Sequence, residues 1–332
     1  MQISSINEII QGKLLNFPAV SFIYNVKTDV KKILEGDLFF ALNEEDIPAA
    51  IEQGAFAIVI EKNTAILDNE IAWIKVDSLS VAIVKYLRYK LSQVELQAYH
   101  CDDISYELLK IFSNQLQQIP KIWLFSTNTH ALLSHINDLK SGDTLICNNQ
   151  ELLISLYPNY QNFNQDTTFK IKNLIEHSLF ETSFSYKDYF FSRIKLSSLY
   201  IQPFLEVSNF IGSSLDVNKL KKVNYFKPIF IDKFFNACEY GKSDKFILIQ
   251  EKENLAQKEL KYIHEKYKYA KTIVFSKEPL LFEGFDSIIV EDLENIFQIL
   301  QDSSFNAVYI IGFKKQKVEQ LFENNNSTTS LL

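Results

Sequence analysis

Glycine, proline, cysteine and methionine are all scarce in this chain of 332 residues, at eight, seven, three and one. Backbone that must close around a phosphate needs glycine where a Cβ would block the approach. So few glycines speak against phosphate chemistry. Cys101, Cys147 and Cys238 are odd in number, widely spaced and free of any CxxC pattern. That excludes a disulfide framework and a cysteine-built zinc site. No apolar run approaches the ~18 residues that would mark a membrane span, so no membrane insertion is expected. The opening residues Met1 to Ser5 carry neither a basic region nor an apolar core, so no secretory signal is read there and a cytoplasmic address is expected. Lys and Arg form no long block and the net charge is −7, the opposite of a nucleic-acid footprint. There is also no GxSxG elbow for a serine nucleophile, and no paired-carboxylate site can be inferred.

What is present is ordinary globular material, 47% hydrophobic and 23% charged, in a chain long enough for two or three domains. Phe56 to Glu61 and Ile71 to Val76 read as short apolar strands, with a helix from Asp46 to Gln53 closed by Gly54 between motif and strand. Leu79, Ile83, Leu87 and Leu91 recur every four residues and predict a helix capped by Ser78. A helix over Ser105 to Gln118 buries Leu109, Phe112 and Leu116 and stops before Pro120. The strand Ile122 to Phe125, a helix over Ala131 to Leu139, the strand Gly142 to Cys147 and a helix over Glu151 to Leu156 follow. Alternation at Phe180, Thr182, Phe184 and Tyr186 predicts antiparallel strands over Phe180 to Leu199, then a helix near Pro203 to Gly212. From about Lys245, strands at Phe246–Ile249, Thr272–Phe275, Ser287–Val290 and Ala307–Ile311 alternate with helices at Leu255–Tyr267 and Leu293–Leu300. This is the order of a small Rossmann-like unit.

Two stretches carry a resemblance. Asp29-Val30-Lys31 precedes Gly36-Asp37-Leu38-Phe39-Phe40-Ala41, and Ile51 to Glu61 reads IEQGAFAIVIE. In this order they resemble the N-terminal domain of the Mur ligases, the ATP-dependent amino-acid-adding enzymes of peptidoglycan synthesis. The branch that adds D-Ala-D-Ala to the UDP-muramyl tripeptide is the most similar. The resemblance implies an α/β, three-domain architecture with a reduced central domain and a small Rossmann-like C-terminal domain. The boundaries expected are 1–100, 101–243 and 244–323, with a disordered tail at 324–332. It also implies that Asp29, Lys31, Phe39 and Ala41 stand where a UDP-substrate would be touched. Val30 occupies the position of the family's serine and cannot hydrogen-bond, while Lys31 stands for an arginine without its bidentate fork. Asn43-Glu44-Glu45-Asp46 adds negative charge beside a diphosphate. A purely structural strand–turn–strand role accounts for the same residues.

Further along, Ser126-Thr127-Asn128-Thr129-His130-Ala131 lies between a predicted strand and a predicted helix. There the family keeps the phosphate loop Gly-Thr-Asn-Gly-Lys-(Thr/Ser). Thr127 and Asn128 remain, but both glycines, the lysine and the magnesium-binding hydroxyl are replaced by Ser126, Thr129, His130 and Ala131. The segment that would follow with acidic metal ligands is shortened.

His100-Cys101-Asp102-Asp103 could be a metal cluster by composition, yet reads better as a linker capping the next helix. His135 and Asp138 can pair on a helix surface. The aromatics Phe184, Tyr186, Tyr189, Phe190 and Phe191 read as sheet core and edge. The expectation is a catalytically inactive Mur ligase-like protein with no catalytic residues, no metal and no cofactor, in a binding or scaffolding role near peptidoglycan precursor synthesis. Its partner would be a UDP-muramyl peptide or a cell-wall synthesis protein. One alternative is a divergent active ligase using Mg-ATP; another is a structural interaction protein with no small ligand.

Overall fold

The computed structural model describes residues 1–113, 120–163, 168–212, 215–282 and 284–328. The chain is mixed α/β and divides into two compact units, Met1–Thr167 and Thr168–Leu332.

The first unit opens with α1 (Ile3–Ile10), β1 (Lys13–Leu14), β2 (Val26–Lys27), β3 (Leu38–Phe40), α2 (Ile47–Glu52), β4 (Ala57–Ile60), β5 (Ala72–Lys75) and α3 (Leu79–Leu91). β2, β3, β4 and β5 pair in parallel, with β1 antiparallel at the β5 edge. A parallel sheet is covered on both faces, and the alternation shows it. Leu38, Phe40, Val59 and Ile74 feed one core, while Phe39, Ile58, Ile60 and Trp73 feed another on the opposite face. Ser78 caps α3 by accepting from the Val81 N–H, and Leu79, Ile83, Leu87 and Leu91 are all buried. Gly54 ends the α2 turn at φ +88°.

A second parallel sheet follows, built from β6 (Gln97–His100), β7 (Ile122–Phe125), β8 (Thr144–Cys147) and β9 (Gln161–Asn162) in the order β7-β8-β6-β9. Its helices are α4 (Asp103–Phe112), α5 (Thr129–His135) and α6 (Gln150–Leu156). One hydrophobic cluster runs from Ile3 through α3 to Leu156 and so joins both sheets. β6 stands before the boundary expected at residue 100 but pairs only with the second sheet. α4 begins earlier than Ser105 because Asp102 supplies the cap. Leu116, expected on its buried face, lies outside the described residues. α5 begins two residues earlier than Ala131 and ends at His135, ahead of the expected Leu139.

The second unit holds an antiparallel sheet of β10 (Lys172–Ser178), β11 (Glu181–Tyr186) and β12 (Tyr189–Ile194), followed by α7 (Ile201–Ile211). α7 ends at Gly212 in the left-handed conformation. Then come β13 (Ile229–Ile231), β14 (Ala237–Cys238), β15 (Phe246–Gln250), α8 (Glu253–Lys266), β16 (Thr272–Ser276), β17 (Leu281–Phe282), β18 (Phe285–Ile289), α9 (Glu294–Gln301), β19 (Ala307–Ile311) and α10 (Lys315–Thr328). The seven strands order β14-β13-β15-β19-β16-β18-β17, with β15, β19, β16 and β18 parallel and antiparallel strands on both edges. Because β13 bonds β15, this sheet starts at residue 229, before the boundary expected at 243. Residues 324–328, expected as the start of a tail, continue α10; residues 329–332 lie outside the described ones.

Three side chains from separate elements close on buried Glu259 of α8, which is 1% exposed. The hydroxyls of Tyr200 and Tyr309 donate to its carboxyl, and Gln250 Nε2 donates at 3.1 Å. Burial raises this carboxyl to about 7 against the opposing hydrogen bonds.

Candidate functional site

The expected nucleotide loop is a three-residue connection, Ser126 to Asn128, between β7 and α5. Asn128 caps the helix, its Oδ1 accepting from the Ala131 N–H at 3.0 Å, and the Thr129 N–H donates to the Thr127 carbonyl at 3.2 Å. None of residues 126–131 has positive φ. Two N–H groups of this crest are therefore occupied internally, and its backbone takes none of the conformations for which glycine is needed. His130 is half-buried; its Nδ1 is buried and has no hydrogen-bond partner among the described residues. Ala131 shows only a methyl group to solvent.

The shortened stretch after this loop is tied back by Asp143. Its carboxylate accepts from the Lys121 and Lys140 N–H groups at 3.0 Å and from Trp123 Nε1 at 2.9 Å. Burial works against the charge, but the Trp123 and backbone hydrogen bonds with the Lys121 cation hold this carboxyl below its usual range. His135 pairs with Asp138 at 3.2 Å on the surface, as its spacing predicted.

The residues expected to touch a UDP-substrate do not converge. Asp29 caps the 3-10 turn Val30–Lys32, accepting from the Lys31 N–H at 3.1 Å, and stands 3.9 Å from Lys32 Nζ. Lys31 is exposed. Phe39 and Ala41 are 0% and 4% exposed, with their side chains packed in the core beneath the first sheet. The turn beside them is constrained by packing. Gly36 has φ +88°, and a Cβ there would lie 2.2 Å from the Tyr24 ring. Asp37, fully buried, accepts from the Leu34 N–H at 3.0 Å.

Around the Cys101 stretch the capping reading stands. Asp102 accepts from the Ser105 N–H at 2.7 Å and Asp103 from Asn148 Nδ2 at 2.7 Å. Burial pushes the Cys101 thiol far up, with the Asp102 charge adding to it. Among the described residues no group of three His, Cys, Asp or Glu side chains is placed to hold a metal. No helix there is long and apolar enough to cross a membrane.

The open chemistry lies in the second unit, where no motif pointed. A pocket of about 380 Å³ is walled by Phe180, Tyr200, Phe226, Phe230 and Tyr240. Lys195, Lys221 and Lys227 enter it and no carboxylate lines it. Lys195 is ion-paired with Glu181, which also meets Arg193 at 2.7 Å. Lys221 and Lys227 have no ion pair among the described residues. Phe226 adopts φ 51°, rare for a bulky residue, and its ring meets Phe180 at 5.2 Å and Tyr262 at 5.7 Å. The pocket draws on 3-10 turns at Ser198–Tyr200 and Val217–Lys222, on β13 and β14, and on the loops around them. The one sequence signal that could have found it is the density of Phe, Tyr and Lys between residues 220 and 246.

No protein-family model matches the sequence, and no curated protein does. Solved structures do match in fold. The UDP-N-acetylmuramoylalanyl-D-glutamyl-2,6-diaminopimelate–D-alanyl-D-alanyl ligase of Acinetobacter baumannii aligns over 98% of this chain and 98% of its own, with 11% identity and a TM-score of 0.51. The MurF ligase of Thermotoga maritima in complex with ADP aligns over 92% of this chain and 98% of its own, with 15% identity and a TM-score of 0.52. The chain thus has the fold of the Mur ligases.

Proposed function

We propose that this protein has kept the Mur ligase fold without the ligation reaction, and that it acts as a cytoplasmic binding or scaffolding protein near peptidoglycan precursor synthesis. The observation that carries this reading is the crest at Ser126–Ala131. An asparagine cap stands there instead of a glycine cradle, with no lysine for the phosphates and no hydroxyl for magnesium. The ligand-bearing place would be the lysine-lined pocket, whose size and walls suit a single ring system carrying an anionic group. UDP, or the uridine end of a UDP-muramyl peptide, is the first candidate, by the fold alone.

The test is thermal unfolding of the purified chain with UDP, UDP-muramyl tripeptide or Mg-ATP. At a hundredfold excess over Kd, binding stabilises by about 2.7 kcal/mol. A shift with the UDP compounds and none with Mg-ATP is the expected result. ATP-dependent phosphate release that disappears on changing Asn128 or His130 would refute the reading.

A second reading is an active ligase with a rebuilt nucleotide site. It is favoured by the same cluster of Lys195, Lys221 and Lys227, which supplies cations the old loop has lost. Phosphate release lost on changing Lys221 and Lys227 would select it. No shift with any compound would leave a structural interaction protein.

A further inference from the structure

A second pocket of about 460 Å³ lies beside the first and shares Phe180, Phe230 and Tyr240 with it. Its chemistry is the reverse. Six aromatic side chains line it, the shared three with Phe246, Tyr262 and Tyr267. Two carboxylates, Glu176 and Asp244, one cation, Lys266, and the hydroxyls of Ser178 and Ser243 make up the rest of the polar lining.

The charges do not cancel. Lys266 Nζ lies 2.7 Å from Glu176 Oε2, and Ser198 and Tyr262 also donate to Glu176, Tyr262 at 3.3 Å. Burial opposes ionisation of Glu176, but these donors hold its carboxyl below the usual range; the Glu176 partner in turn raises Lys266. The pair is self-contained. Asp244 is exposed and makes no side-chain hydrogen bond or ion pair among the described residues, so among the residues that line the pocket one negative charge is left over; Lys195, against the Tyr240 ring, shares Glu181 with Arg193.

Catalysis by this cluster does not follow. Ser198 has Glu176 and Tyr262 within hydrogen-bond reach, but a carboxylate held below its usual range is a weak base, and burial raises the Tyr262 hydroxyl, so neither activates it. Recognition does follow. The negative faces of aromatic rings together with an unpaired carboxylate attract large, weakly hydrated cations. Tyr240 is already used this way, with Lys195 Nζ 4.0 Å from its ring centroid.

We propose that this second pocket binds an organic ammonium group, with the aromatic walls enclosing its alkyl substituents and Asp244 balancing its charge. A small inorganic cation is not the expected occupant, because among the described residues no group of three His, Cys, Asp or Glu side chains is placed to replace its water. The proposal does not rest on the lysine-lined pocket being occupied, although the two share Phe180, Phe230 and Tyr240.

Choline is the probe, with 3,3-dimethylbutan-1-ol as its uncharged counterpart of the same shape. Both are followed by saturation transfer from the intact protein to their equivalent methyl protons. The expected result is saturable choline binding, with the alcohol weaker by about tenfold. Tyr240→Leu should weaken choline by about tenfold and Asp244→Asn by roughly threefold. Both residues are exposed, Tyr240 at 45%, so the variants should unfold at the wild-type temperature. Equal binding of choline and the alcohol would overturn the proposal and leave a merely apolar cavity. Absence of saturable choline binding, or choline binding untouched by both substitutions, would overturn it as well.

Discussion

The two units differ in where the polar side chains of their candidate sites go. In the first, Asp29, Asp37, Asn128 and Asp143 are all turned onto the chain's own N–H groups, and the motif residues Phe39 and Ala41 are buried. In the second, where no ligand motif was read, Lys221, Lys227 and Asp244 line aromatic pockets and have no ion pair among the described residues. Retained sequence motif and retained open chemistry are thus separate matters. A glycine or aspartate can be needed by a turn whether or not a ligand binds there. The resemblance at Asp29–Ala41 is most economically explained by backbone geometry.

The largest effect that would sharpen this contrast is at Gly36. Gly36→Ala places a Cβ against Tyr24 at a φ that L-residues avoid. It should lower stability by roughly 2 kcal/mol or more, read from denaturant unfolding. A neutral result there would break the structural account of the motif.

In the second unit the corresponding probe is Glu259. Its carboxyl is raised to about 7 in the fold against 4.5 when free. The protonated form is therefore the one the fold prefers. The contribution is fully present below about pH 4.5 and is lost as pH rises through about 7, on the order of a few kcal/mol. Melting temperature should fall across that window, and Glu259→Gln should flatten the slope. An unchanged slope would mean that another group governs it.

Smaller again is the crest. Asn128→Ala removes a helix cap and should cost about 1 kcal/mol. Restoring the loop with Ser126→Gly, Thr129→Gly, His130→Lys and Ala131→Ser should still give no unfolding shift with Mg-ATP, since the connection that follows is short and tied by Asp143. A shift would show that only the side chains, not the loop's setting, had been lost. The smallest expected change is Lys221→Ala with Lys227→Ala. Stability should stay within ~0.5 kcal/mol, because both side chains are exposed, while any shift caused by an anionic ligand should vanish.

Periodicity and capping chemistry decided much at the level of the sequence. The four-residue stripe of α3, its Ser78 cap, the apolar strands β4, β5, β15, β16 and β19, and the Gly54 and Gly212 stops all rest on interactions within a few residues. The Asn128 cap was not read in the sequence, where the residue was matched to a phosphate loop, although a cap needs only its own helix. What tertiary structure decided involves residues far apart in the chain. β6, β13 and β14 are too short or too polar to announce which sheet they join, and pairing with distant strands assigns them. Glu259 sits on a helix rich in charge, and only the approach of Tyr200, Tyr309 and Gln250 from three other elements makes it a buried acid. The pockets collect side chains spread from Glu176 to Tyr267, mostly on loops, where neither helical nor strand spacing marks a direction. Local hydrogen-bonding and apolar repeats are written within a few residues and can be read there; concavity and burial depend on which distant surfaces meet.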